Sequence, residues 1–118
     1  MKTDKLESLY THIEEKRVLR DFEGIFHYAS LLYTASREQN NDHYLIISCY
    51  FLGSSYFNTG VYDKAMKYLQ EGIRIGEHAH YLFFQMMCYN LAGMVSGRVG
   101  DDIMWVEYML KSYYIALD

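Results

Sequence analysis

The stretch from Leu52 to Ile75 reads LGSSYFNTGVYDKAMKYLQEGIRI. Its second half places apolar residues at steps of three and four, which is the spacing of one helix face: Tyr62, Ala65, Met66, Leu69 and Ile73. Charged and polar residues occupy the opposite face. Thr59 and Gly60 interrupt the pattern and are typical of a turn. The stretch therefore predicts two helices joined by a tight turn.

This pattern recurs along the chain. Ile25 lies 40 residues before Ala65, and Met104 lies 39 residues after it. A self-match at such a period is the signature of a helical solenoid. We expect an all-α fold of about three antiparallel helix pairs, forming one domain over residues 1–118, with repeats at about 4–38, 42–76 and 79–117. The six helices are expected at about 4–18, 21–38, 42–58, 61–75, 79–97 and 101–117, with Gly76 ending the fourth.

The second pair resembles a tetratricopeptide repeat. The family pattern places Leu-Gly, a Tyr three residues later, a Gly at the turn, an aromatic residue, a small Ala and then a large apolar residue. The chain has these residues in order: Leu52, Gly53, Tyr56, Gly60, Tyr62, Ala65 and Leu69. The first and third pairs match the pattern less well. The proline that closes the family's repeat is missing, and the period exceeds the usual length of about 34 residues.

Lengthened, proline-free and tyrosine-rich repeats are also similar to the peptide-binding domains of Rap- and PlcR-type quorum-sensing regulators. This resemblance implies a regulatory module that binds a short peptide or a partner protein.

Composition excludes several other classes of protein. The chain has 118 residues, a net charge of −4 and 11 Lys and Arg against 15 Asp and Glu, so no nucleic acid is expected as a partner. Its apolar stretches are shorter than the roughly 20 residues of a membrane span, so no membrane is expected either. The N-terminal residues lack the apolar core of a signal peptide, and two cysteines cannot form a disulfide scaffold. These features predict a cytoplasmic protein.

No catalytic or metal site is expected. The five histidines are scattered, and no metal-binding, phosphate-binding or nucleophile motif is present. We therefore expect no cofactor and no enzymatic activity.

The tetratricopeptide resemblance implies that the first helix of each pair lines a concave groove. The family's groove positions, carried onto this chain, predict these contacts for a peptide or partner: Tyr10, Tyr50, Ser54, Phe57, Asn58, Tyr89, Gly93 and Ser96. Tyrosine suits such a surface because it offers apolar area and a hydroxyl group at low entropic cost. Two alternatives stay open at this point: the tyrosines pack on their neighbours or at a dimer interface, and Asn58 caps its helix.

The last helix is apolar nearly all round, whereas the end of a monomeric solenoid is usually polar. Four residues recur every fourth position and predict a dimer interface: Trp105, Met109, Tyr113 and Leu117. The sequence thus supports two functions. One is a non-enzymatic peptide-binding module, and the alternative is a homodimeric structural or sequestering protein. A different protein covering the last helix is the rival explanation of its apolar surface.

Overall fold

The computed structural model describes residues 2–117 of the chain, with side-chain burial from residue 4 onward. This part consists of six helices and contains no strand: α1 (Lys2–Val18), α2 (Phe22–Glu38), α3 (Asp42–Asn58), α4 (Tyr62–Ala79), α5 (Leu82–Arg98) and α6 (Asp102–Leu117). Each helix packs against the next along the chain, and α3 also contacts α5. The predicted all-α solenoid of helix pairs is confirmed.

A residue with left-handed backbone geometry follows each of the first five helices at intervals of 20 residues. These residues have φ angles between +52° and +85°: Arg20, Asn40, Gly60, His80 and Gly100. One such residue lets the chain leave a helix and enter the next within a very short linker. Helices of nearly equal length therefore alternate in direction, and two of them make one repeat.

Polar side chains begin three of the helices. Asp21 accepts a hydrogen bond from the backbone N–H of Gly24 at 2.9 Å, and Asn41 accepts one from Tyr44 at 3.1 Å. Asp101 does the same for the N–H of Met104 at 3.1 Å. Each carboxylate or amide satisfies a donor that the first turn of a helix leaves free.

The buried core forms two clusters that meet near the middle of the chain. The first joins α1, α2 and α3 and includes Leu6, Ile13 and Ile46, each 0% exposed. The second joins α4 and α5 around Ala65 and Leu69, which are also fully buried. Gly53 allows α3 to lie against α4, because a Cβ atom there would be 2.6 Å from a methyl carbon of Leu69. The small residues of the quoted stretch thus set the spacing of the second helix pair.

The predicted boundary between α4 and α5 is wrong on both sides. Helix α4 does not end before Gly76 but continues to Ala79, and the residue with left-handed geometry is His80. Gly76 is buried inside the helix, where its missing side chain makes room for Gln85 of α5. The glycine therefore serves the contact between two helices rather than the end of one. The additional turn brings the exposed Glu77 within hydrogen-bonding reach of Tyr89, and α5 starts at Leu82.

Candidate functional site

A groove of about 830 Å³ runs along the helices that open the three repeats. Helices α1, α3 and α5 supply most of its surface, and the first turns of α2 complete one side. Pockets of 300–1,000 Å³ are typical of ligand sites. The side chains that line this groove, as the structure places them, are Tyr10, Glu14, Arg17, Phe22, Glu23, Ile25, Phe26, Tyr50, Phe51, Ser54, Ser55, Tyr56, Asn58, Thr59, Phe83, Phe84 and Met87.

Tyr10 and Tyr50 are held in the groove by edge contacts with other aromatic rings. The ring of Tyr10 lies 6.2 Å from that of Tyr44, and the ring of Tyr50 lies 6.1 Å from that of Phe84. Burial raises the pKa of both hydroxyl groups, and for Tyr10 the nearby carboxylate of Glu14 adds to this effect. Both tyrosines therefore keep their protons at neutral pH and can donate as well as accept a hydrogen bond.

One ion pair lies on the α1 side of the groove. The Arg17 guanidinium donates to Glu14 Oε2 from its Nη2 atom at 2.7 Å and from its Nε atom at 3.2 Å. These hydrogen bonds raise the pKa of Arg17, which stays charged. Glu14 neutralises the charge of Arg17. The charge that remains among the lining residues is therefore the exposed carboxylate of Glu23.

The C-terminal half of α3 supplies the uncharged polar groups of the groove. Ser54 is partly buried and Asn58 is exposed, and both line the groove beside Thr59. Asn58 is the last residue of α3, while Thr59 is the C-cap and Gly60 has the left-handed geometry. Asn58 therefore occupies neither the C-cap position nor the position with left-handed geometry.

Several apolar residues of the groove were not predicted from the sequence. Five of them come from the first two turns of α2 and α5 rather than from the family's groove positions: Phe22, Phe26, Phe83, Phe84 and Met87. Phe22 and Phe83 are strongly exposed, at 61% and 60% of their surface. The available signal was the Phe22–Phe26 pair, whose spacing of four residues puts both rings on one helix face.

The structure brings four predicted contact residues together along the groove: Tyr10, Tyr50, Ser54 and Asn58. The other four lie outside its lining. The ring of Phe57 lies 5.9 Å from that of Tyr62, and Ser96 donates to the carbonyl of Ala92 at 2.9 Å. Gly93 faces Met109 of α6.

Tyr89 is the largest departure from the predicted row of tyrosines. It is only 5% exposed, its hydroxyl donates to Glu77, and its ring lies 6.1 Å from that of Tyr108. It lies in the second core cluster, which also includes Ile73 of α4 and Tyr108 of α6. The groove contains Tyr10 and Tyr50, the first two tyrosines of the predicted row. Phe83 and Phe84 line it where the third tyrosine was expected.

Two of the four predicted dimer residues also pack against α5, although Trp105 keeps 45% of its surface exposed. Met109 and Trp105 contact the glycines of α5, since a Cβ atom at Gly93 would lie 3.1 Å from Met109 Cε and one at Gly97 would lie 3.6 Å from Trp105. Tyr113 and Leu117 are exposed on the outer face. No residue of α6 is buried as a whole.

Three further features of the described residues concern metal ligands, thiols and helix hydropathy. Between residues 2 and 117, no three His, Cys, Asp or Glu side chains are placed to hold a metal ion. Cys49 and Cys88 are free thiols within the core, and burial raises the pKa of both. No helix in this range is long and apolar enough to cross a membrane.

Comparison with known families identifies the second helix pair. Residues 46–75, which cover most of α3 and α4, match the model of the tetratricopeptide repeat. No curated protein matches the chain significantly. The match and the six-helix architecture together show a tetratricopeptide-like helical repeat protein. Such repeats generally mediate contacts between proteins, so the chain has the features of a protein interaction module.

Proposed function

We propose that the groove binds a short peptide, or an extended segment of a partner protein, without catalysing a reaction. The observation that carries this proposal is a groove of about 830 Å³ with aromatic walls and a few polar groups between them. This combination is typical of recognition sites, where apolar surface gives affinity and a few polar groups fix orientation. The similarity to the peptide-binding domains of Rap- and PlcR-type regulators stays a prediction, and it favours a short peptide.

The two sides of the groove have different roles in this proposal. Phe83, Phe84 and Met87 form an apolar wall that accepts the side chains of the ligand. Tyr50 faces the ligand beside this wall, with its ring fixed against Phe84. A fixed ring loses little entropy on binding, and its hydroxyl can pair with a backbone amide of the ligand. Asn58 offers both a donor and an acceptor at one end.

A peptide selected from a random display library against the whole chain supplies the probe for a first test. We expect Tyr50→Ala to weaken binding of this peptide by about 2 kcal/mol, or roughly thirtyfold, because the variant removes an aromatic anchor. Titration calorimetry measures the change. The matched control is Tyr114→Ala, which removes an exposed tyrosine of α6 that does not line the groove.

Equal affinity of the two variants would contradict the proposal, provided that both melt at the temperature of the unmodified chain. A reduced affinity with Tyr50→Phe, which keeps the ring, would show that the hydroxyl contributes to recognition.

The proposal includes a cytoplasmic location. Both cysteines are free thiols, although they lie on either side of Gly72, whose added Cβ would contact both side chains. Unpaired thiols are usual in the reducing compartments of a cell. Fractionation of the native source, with detection by an antibody, tests the location; recovery from a secreted or membrane fraction would contradict it.

A second function, self-association, is favoured by one specific observation. Helix α6 has no buried residue, although most of its residues are apolar. We propose that the chain pairs with a second copy through this helix, as a structural or sequestering protein would. Sedimentation equilibrium at micromolar concentration is expected to give about 28 kDa, twice the chain mass of 14.0 kDa.

Leu110→Glu is expected to return the mass to that of one chain, because it places charge on the outer face of α6. The matched control is Leu31→Glu, since Leu31 is similarly exposed but lies on α2. Trp105 is a poorer target because it also contacts Gly97 within its own chain. A mass near 14 kDa for the unmodified chain would contradict self-association.

A further inference from the structure

The outer face of α6 carries a regular apolar stripe, here called the α6 seam. Its five residues follow one another at steps of three, four, three and four, and each is 46–74% exposed: Ile103, Val106, Leu110, Tyr113 and Leu117. This alternation is the pattern by which one helix packs along another in a coiled coil. The seam therefore has the form of a helix-binding surface.

The remaining contacts of α6 show why the seam faces outward. Ser112 donates to the carbonyl of Met86 at 3.1 Å, and the ring of Tyr108 lies beside that of Tyr89. Both contacts tie the inner face of α6 to α5. The seam occupies the opposite side of the helix, because its residues lie about half a turn away from Tyr108. Nothing within residues 2–117 covers it.

A shallow hollow of about 450 Å³ accompanies the seam. It is lined by five residues that lie within two and a half consecutive turns of α6: Trp105, Val106, Met109, Leu110 and Tyr113. A hollow between side chains of successive turns is the hole that a protruding side chain of a neighbouring helix fills. The same helix thus offers both the knobs and a hole.

The opposite end of the solenoid differs in character. The exposed positions of α1 between residues 4 and 15 are all polar or charged: Asp4, Lys5, Glu7, Ser8, Thr11 and Glu15. Stacking α6 of one copy on α1 of another would bury these groups against apolar side chains, which is costly. Head-to-tail assembly is therefore disfavoured, whereas a second α6 presents the same apolar stripe.

We propose that the α6 seams of two copies pair antiparallel about a two-fold axis near Leu110. The inference rests on the self-association proposed above and adds the surface and the orientation. In this arrangement Ile103 meets Leu117 of the second copy at both ends, and the two Leu110 side chains meet at the centre. Each seam then covers the identical seam of the other copy, and the assembly closes as a dimer.

The flanking charges favour this orientation over a parallel one. In a parallel pair, a residue that flanks the seam contacts the residue five positions further along the second helix. Asp102 of each copy would therefore lie against Glu107 of the other copy. The two carboxylates would repel each other. In the antiparallel pair, Glu107 faces Tyr114 of the second copy, whose hydroxyl can donate to it, and Asp102 faces Ala116. Antiparallel helix dipoles also attract each other.

Cross-linking between engineered cysteines tests the orientation. One preparation carries Ile103→Cys, and another carries Leu117→Cys with an affinity tag that changes its mass. Both positions are more than 60% exposed, so neither change disturbs the chain's own core. The two native cysteines are 0% exposed and do not compete for a short bis-maleimide reagent. Glu7→Cys on α1 is the control for random collision.

The antiparallel pairing predicts a cross-link of intermediate mass in the mixture and none in either preparation alone. In either preparation alone, the two copies of the same engineered cysteine would lie about 21 Å apart in the dimer. This distance is the length of helix between positions 103 and 117. Cross-linking of Ile103→Cys with itself would show a parallel pair and overturn the proposal. A dimer in sedimentation without any cross-link would place the interface elsewhere and overturn it too, while self-association would stand.

A monomer in sedimentation would overturn both, and α6 would then be covered by a different partner. Peptide binding is measured separately, since no residue of α6 lines the groove. Failure of the dimer is therefore distinguishable from failure of the groove.

Discussion

At the scale of single residues, glycines set the distances between the helices. A Cβ atom at Gly76 would lie 2.6 Å from Gln85 Cβ, whereas one at Gly97 would meet its nearest atom, in Trp105, at 3.6 Å. The first distance is a clash with an atom next to the backbone, and the second is an ordinary contact. The same residue type thus has opposite roles in two helices.

These distances predict opposite effects of one substitution. We expect Gly76→Ala to lower the free energy of unfolding by about 1–3 kcal/mol, because overpacking outweighs the gain in helix propensity of about 1 kcal/mol. Gly97→Ala is the control and is expected to be neutral or stabilising. Urea denaturation followed by circular dichroism measures both. Similar stability of the two variants would show that α4 and α5 do not meet at Gly76.

The buried thiols predict a loss of stability at alkaline pH. Burial raises the pKa of Cys49 and Cys88, that of Cys88 to about 12, whereas an unfolded thiol ionises near 9. The unfolded state alone releases these protons from about pH 9 upward, so the free energy of unfolding falls through that window. We expect a double Cys49→Ala, Cys88→Ala variant to lose less stability between pH 8 and pH 10. Equal losses in the two proteins would mean that the thiols are accessible.

At the scale of helices, the turns show what the sequence can and cannot predict. Thr59 and Gly60 were identified as a turn because glycine tolerates positive φ. Arg20 and His80 adopt the same geometry without any such signal, since the packing of the flanking helices imposes it. The buried Gly76 was mistaken for a helix end because the sequence does not show which glycines face another helix.

The left-handed turn residues give a prediction of their own. We expect His80→Gly to raise the free energy of unfolding by up to about 1 kcal/mol, because glycine removes the strain of a side chain at positive φ. Gly60→Ala should lower it by about 1–2 kcal/mol, although a Cβ atom there would contact nothing within 4 Å. Thermal denaturation of the two variants measures the difference. A stabilising Gly60→Ala would contradict the left-handed geometry.

At the scale of the whole molecule, the fold was more predictable than the groove. The period of the apolar residues and the Leu52–Leu69 pattern sufficed for the three helix pairs, because both reflect local packing. The groove depends on contacts between distant segments. Phe22 and Phe83 line it from helix starts. Tyr89 is instead buried in the second core cluster and donates to Glu77, on a turn of α4 that the sequence did not predict. Such contacts are fixed only when the repeats stack.

The two ends of the solenoid complete this description. The exposed positions of α1 between residues 4 and 15 are polar, and the outer face of α6 is apolar. The groove lies between these ends and shares no residue with α6. The proposed ligand binding and the proposed self-association would thus use separate surfaces.

The central claim, that the groove is the ligand site, is tested most directly by nuclear magnetic resonance. Backbone amide shifts of the labelled whole chain are followed while the library-selected peptide is added. The account predicts the largest changes at three segments that line the groove: residues 10–17, 50–59 and 83–87. Changes concentrated on α4 or α6, with these segments unaffected, would contradict it.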